Sequence, residues 1–199
     1  MFAPLSAAFY DRPAQQVAPR LLGALMVHQS DQGLTAGRVV EVEAYLATGD
    51  SANHAARGRT ERNAAMFGPP GTAYVYFVYG MHHCFNVVCG PVDVPEAVLV
   101  RALEPTAGIE LMAARRGTER LELLASGPAR LCQALGITRE HDGADITRGP
   151  LYLAEGDPPA GKVIYTTRVG CPSTPHLRLR WYVRDSPCVS SRDRAAEGR

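Results

Sequence analysis

The chain has 199 residues, 46% of them hydrophobic, and a formal net charge of +1. That length and apolar content suit one domain with a full core, and no run approaches the roughly 18 to 20 apolar residues that cross a bilayer. The near-neutral charge does not by itself announce a nucleic-acid partner.

The longest apolar stretch near the start, residues 21–27, is too short to span a membrane, and the first residues lack the charged and apolar regions of a signal peptide. A cytoplasmic protein is therefore expected. The five cysteines, Cys84, Cys89, Cys132, Cys171 and Cys188, are odd in number and show no CxxC spacing. They read as free thiols rather than a disulfide framework or zinc finger. Lys162 is the only lysine, so the basic character is carried by arginine.

In chain order, residues 13–22 read as a short helix with Pro13 in its first turn, though Pro19 falls inside it. Residues 24–28 and 37–45 read as strands around the turn Ser30-Asp-Gln-Gly33. In Arg38-Val-Val-Glu-Val-Glu-Ala-Tyr45, Val40, Val42 and Ala44 share one face, and Val39, Glu41, Glu43 and Tyr45 share the other. Two carboxylates and an aromatic on one face make either a solvated edge or a working wall. Residues 48–71 are rich in Gly and Pro and read as a long irregular connection, a type disproportionately functional.

Gly71-Thr-Ala-Tyr-Val-Tyr-Phe-Val-Tyr-Gly-Met-His-His-Cys-Phe-Asn86 carries three of the eight tyrosines. Tyrosine has a flat apolar face and a hydroxyl tip, so a strand of tyrosines can stack on a planar ring while its edge stays polar. Tyr74, Tyr76 and Val78 share one parity and Val75, Phe77 and Tyr79 the other, so one parity can line a pocket while the other packs inward. Gly80 ends the regular strand, leaving Tyr79 at a tip. His82 and Cys84 would share a strand face, but no second cluster completes a metal site, and no metal is expected.

Further on, residues 92–103 read as a strand and 106–116 as a helix capped by Thr106. Residues 121–135 are helical with a break at Ser126-Gly-Pro128. Short strands are expected near 151–153, at 162–169 and at 177–183. This mixed order favours an α+β single domain over residues 1–199, with a largely antiparallel curved β-sheet flanked by helices. Residues 1–6 and 195–199 are expected to fray.

Glu41-Val-Glu-Ala-Tyr45, His54, Arg62-Asn63, Met66-Phe67, Tyr74 to Asn86, Arg101-Ala-Leu-Glu-Pro105, Ser126-Gly-Pro-Ala-Arg-Leu-Cys-Gln-Ala-Leu135 and Tyr182-Val-Arg-Asp-Ser-Pro187 occur in one order. Together they resemble the alkyladenine (3-methyladenine) DNA glycosylase family, over about residues 13–194. The resemblance implies a monofunctional, bacterial-type enzyme. It would flip alkylated or deaminated purines out of double-stranded DNA and hydrolyse the N-glycosidic bond, starting base-excision repair. A non-catalytic module that binds damaged DNA on the same fold is the alternative.

By the same resemblance, Glu43 is the base that activates water, and Arg101 stands near that water and the DNA backbone. Tyr45, His54 and Tyr76 stack on the flipped base, Asn86 opposes the 2-amino group of guanine, and the Val169 carbonyl completes the water site. Tyr79 intercalates with Met81 beside it, and Arg57, Arg59 and Arg62 offer phosphate contacts. No cofactor, no membrane association and a monomer are expected. Glu41 competes with Glu43 for the role of base. One departure is Cys171-Pro-Ser-Thr-Pro175, where family members often carry a tryptophan and basic residues.

Overall fold

The computed structural model describes residues 2–78 and 81–198. Two short helices, α1 (Ala7–Tyr10) and α2 (Ala14–Arg20), lead into β1 (Leu25–Ser30) and the long β2 (Gly33–Tyr45). A 3₁₀ segment, Glu61–Phe67, precedes the paired strands β3 (Ala73–Val78) and β4 (His82–Cys89), and β5 (Glu96–Ala107) follows. Then come α3 (Ile109–Arg116), α4 (Leu121–Leu124), α5 (Pro128–Leu135), β6 (Leu151–Ala154), β7 (Val163–Thr166), β8 (Arg180–Val183) and α6 (Arg194–Glu197).

All strand pairs are antiparallel in one sheet of order β3-β4-β5-β2-β1-β6, with β8 joining β2 to β7. β2 is the spine because its length serves three partners. It runs along β5 from Ala36 to Tyr45 and pairs with β1 from Gly33 to Arg38. At Glu41 to Glu43 it takes β8 instead. The curled, antiparallel α+β sheet matches the fold class read from the sequence.

Period-two alternation divides this sheet into an apolar face and a chemical one. Val40, Val42 and Ala44 of β2 pack with Val75, Phe85, Val87, Val98 and Val100 in the main core, which also takes Val17, Ala18 and Leu21. The other face is read from the register. Tyr74 pairs with Asn86, Asn86 with Leu99, Leu99 with Glu43, and Glu43 with Arg180. One row of side chains therefore crosses five strands. Between Glu41↔Ala102 and Val42↔Val100 the register shifts and leaves Arg101 without a direct partner. Such bulges re-aim a side chain.

Several elements differ from the sequence expectation. Residues 74–86 are two strands of a hairpin rather than one, and the expected Tyr79 tip lies outside the described residues. β5 continues through Thr106, so Thr106 does not cap α3; Gly108 does, at φ +69°. A Cβ there would stand 2.2 Å from the Leu34 carbonyl oxygen, so only glycine fits the turn. Pro19 lies inside α2, which ends one residue later. The break at Ser126-Gly-Pro128 is as expected, with Pro128 opening α5.

The Leu5 amide donates to the Leu153 carbonyl at 2.7 Å, and Asp193 caps α6 by accepting from the Ala196 amide. Among the described residues no helix is long and apolar enough to cross a membrane.

Candidate active site

The chemical face of the sheet floors a cleft of about 730 Å³, lined by Tyr45, His54, Arg62, Tyr74, Tyr76, Cys84, Asn86, Leu99, Arg101, Val169 and Cys171, among others. Pro128 and Ala129, at the start of α5, close one side. The long 48–71 connection supplies another wall and is ordered by two buried asparagines. Asn53 Nδ2 donates to the carbonyls of Leu46 and Pro95, and Asn63 Nδ2 to those of His54 and Gly58. These bonds fix where His54 sits.

At the floor both glutamates of β2 are fully buried, with 0% exposure. Glu43 accepts from the Val169 amide at 2.7 Å, the Tyr45 hydroxyl at 3.0 Å and Arg101 Nη1 at 3.2 Å. Glu41 accepts from Arg101 Nε at 3.2 Å, Arg180 Nη1 at 2.8 Å and the Ser190 amide at 2.7 Å. The two carboxylates and two guanidiniums balance in charge, as buried ions must. Neither glutamate lines the cleft itself; Glu43 is bonded by three residues that do, Tyr45, Arg101 and Val169, and Glu41 by one, Arg101.

The aromatic wall is uncharged near neutral pH. His54 Nδ1 lies 2.9 Å from the Tyr74 hydroxyl, and its ring meets Tyr76 edge-on at 4.5 Å between centroids. Burial, assisted by Arg62, pushes the His54 pKa below 6.5. Burial likewise raises the tyrosines, Tyr74 to about 12, with Tyr76 and Tyr45 also well above the usual value. Cys84 and Cys171 are raised by the same cause, so neither thiol is activated.

Arg101, Tyr45, His54, Tyr76, Asn86, Val169 and Arg62 thus meet in one cleft, and Glu43 lies buried beneath it, bonded to the lining residues Tyr45, Arg101 and Val169. Three of them have partners within the protein that the sequence did not indicate. Val169 gives Glu43 its amide, while its carbonyl faces the Cys171 thiol at 3.8 Å. Gly170, at φ +74°, turns the chain there. Arg101 bonds Glu41, Glu43 and Ser190 Oγ. Arg62 bonds the Phe77 carbonyl at 3.2 Å from the cleft wall.

Met81 is 68% exposed at the start of β4, Arg57 is exposed, and Arg59 is exposed while pairing with Asp93 at 3.5 Å. Tyr79 cannot be located beside them, being outside the described residues. His82 and Cys84 both border the cleft. Among the described residues no group of three metal-binding side chains gathers.

Sequence reasoning missed Arg180, Ser190, Asp50 and Arg168. Arg180 lies on β8 opposite Glu43, so its parity would have exposed it once that pairing was known. Arg168 and Asp50 form a buried pair with two bonds of 2.6 Å. No local pattern marks them.

The family profile of methylpurine-DNA glycosylase (MPG) matches residues 8–187. A protein of Methanoculleus marisnigri is 52% identical over 192 residues, covering 94% of this chain and 99% of that one. Proteins of Koribacter versatilis and Carboxydothermus hydrogenoformans are each 46% identical, covering 96% and 92% of this chain and 94% and 97% of their own. All three carry the name "Putative 3-methyladenine DNA glycosylase". With a match that runs through every strand of the cleft, this chain belongs to the methylpurine-DNA glycosylase family.

Proposed function

We propose that the protein is a monofunctional DNA glycosylase that removes alkylated or deaminated purines from duplex DNA and so starts base-excision repair. The observation that carries this reading is the joining of an aromatic cleft to a buried carboxylate–arginine cluster on one sheet face. A base within a duplex must leave the stack before its sugar bond can be attacked, and a cleft walled by Tyr45, His54 and Tyr76 gives it rings to stack against. Asn86 Nδ2 is fixed on the Tyr74 carbonyl at 3.0 Å, which holds the amide in place against the 2-amino group of guanine.

Glu43 is the base for the attacking water. A carboxylate has about four acceptor positions, and three are taken by Val169, Tyr45 and Arg101. The remaining one is left for a water, whose proton passes to the carboxylate as its oxygen attacks the sugar carbon and the base leaves. The fixed carboxylate also stabilises the cationic sugar that develops. Met81, with Tyr79, would border the gap in the duplex, and Arg57 and Arg59 would meet phosphates. No metal or organic cofactor is required, and the working form is a cytoplasmic monomer.

The test is base release from duplexes holding 3-methyladenine, 7-methylguanine, hypoxanthine or ethenoadenine. Glu43→Gln keeps the shape but cannot take a proton, so release should fall by about 10²–10⁴-fold with lesion-duplex affinity nearly kept. An active Glu43→Gln alongside a dead Glu41→Gln would transfer the role to Glu41.

A further inference from the structure

We propose that Arg168, held by Asp50, is a positioning residue that sets the plane of the Tyr45 ring so that its cleft-side face is presented to the flipped purine. The inference rests on the reading above. The Arg168 guanidinium carbon stands 4.5 Å from the Tyr45 ring centroid. Tyr45 lines the cleft and Arg168 does not, so the ring lies between cation and cleft.

Tyr45 needs such a support. Its hydroxyl is anchored on Glu43 at 3.0 Å, with the Cys171 sulfur at 3.8 Å. The hydroxyl and Cβ both lie on the long axis of the ring, so this anchor leaves rotation about that axis free. Only a contact on the face of the ring fixes its plane, and a stacked guanidinium supplies one.

The guanidinium is itself fixed. Its two Nη atoms each bond an Asp50 oxygen at 2.6 Å, and they also reach the Ala44 carbonyl at 3.0 Å and Thr174 Oγ1 at 2.8 Å. Asp50 in turn accepts from the amides of Leu46 and Ala52. Arg168 and Asp50 side chains are 1% and 0% exposed, and Arg168 Nε has no hydrogen-bond partner among the described residues. A buried pair with an unpaired donor is a poor device for stability, but its rigid fork is a good device for holding a plane. Asp50 also neutralises the charge, so a cationic alkylated base is not repelled through the ring.

The experiment compares two duplexes, one with a single ethenoadenine and one with a tetrahydrofuran abasic analogue. Stacking matters only when a base is present. Arg168→Met should weaken binding to the ethenoadenine duplex by about 10-fold, slow single-turnover release and reduce the quenching of ethenoadenine fluorescence. Binding to the abasic duplex should stay within about two-fold. Arg168→Lys should resemble Arg168→Met, because an ammonium cannot make the fork. In a Tyr45→Leu background, Arg168→Met should add less than about two-fold.

Equal loss on both duplexes, or a full additional loss on Tyr45→Leu, would overturn the positioning role. If Arg168→Met does not fold, Asp50→Asn, which keeps the shape and weakens the fork, is read by the same criteria. A wild-type protein that neither binds nor cleaves the lesion duplex would instead sink the glycosylase reading, and this inference with it.

Discussion

The two glutamates of β2 stand two residues apart on one face, yet their surroundings assign them different work. Glu41 is closed in by Arg101, Arg180 and the Ser190 amide, whereas Glu43 is held by Tyr45, Arg101 and Val169, all three of which line the cleft. Removing Glu41 leaves the buried Arg180 without a carboxylate and Arg101 with Glu43 alone, so Glu41→Ala should cost about 3–5 kcal/mol of stability by denaturant unfolding. Glu43→Gln should cost far less, since the amide oxygen still accepts. Asn86→Ser should raise release of guanine-derived bases relative to adenine-derived ones, measured on paired lesion duplexes, because the conflict with the 2-amino group is relaxed. Unchanged selectivity in a folded variant would remove Asn86 from base discrimination. The cleft residues on strands were legible because alternation puts Glu43, Tyr45, Tyr74, Tyr76 and Asn86 on one face, and the family resemblance distinguished Glu43 from Glu41. Arg168 was not legible. Its partner Asp50 lies 118 residues away in sequence, and a buried arginine looks like a solvated one until the segments meet.

At the scale of elements, the corner between α5 and the residues after it is pinned to β1 through two histidines. His28 Nδ1 donates to the Leu135 carbonyl at 2.6 Å, leaving Nε2 to accept from His141 Nε2 at 3.2 Å. His141 Nδ1 then accepts from the Thr138 amide at 3.1 Å. The chain of bonds works only with both rings neutral, and Arg115 nearby opposes charge as well. Burial first, with Arg115 adding to it, holds the His28 pKa below 6.5, although the bond to Leu135 pulls the other way. Because the folded pKa lies below the unfolded one, the unfolded chain binds the proton more readily. The stabilisation is therefore full above about pH 6.5 and is lost as pH falls through the folded pKa. Thermal unfolding midpoints should drop across that window, and His28→Gln should flatten the drop. A wild-type midpoint independent of pH between 7 and 5 would count against the lock. Neither β5's extension past Thr106 nor this corner could be read from local preference, since long-range pairing decides both.

Across the whole molecule, the charge is spent more internally than the arginine count implies. Arg180 and Arg192, near the end of the chain, bond Glu41 and Glu197. The one amine on a side chain, Lys162, is exposed just before β7 and does not border the cleft. A glycosylase that also nicks DNA attacks the sugar with an amine, and a guanidinium cannot replace one because it stays charged. Borohydride added during turnover should therefore trap no protein–DNA adduct. An adduct mapping to Lys162 would make the enzyme a lyase as well.

The row of side chains from Tyr74 to Arg180 also constrains how such an enzyme can change over generations. Each member stands on a different strand with the apolar core behind it, so a one-residue insertion in any of the five strands would exchange chemistry for core along that strand. The floor cannot be retuned by length. The connection carrying His54 and the turn carrying Val169 to Thr174 lie outside the ladder, and they can lengthen or shorten without disturbing the register. Novelty in the range of lesions accepted should therefore accumulate in those two segments, with reaction chemistry held constant beneath them.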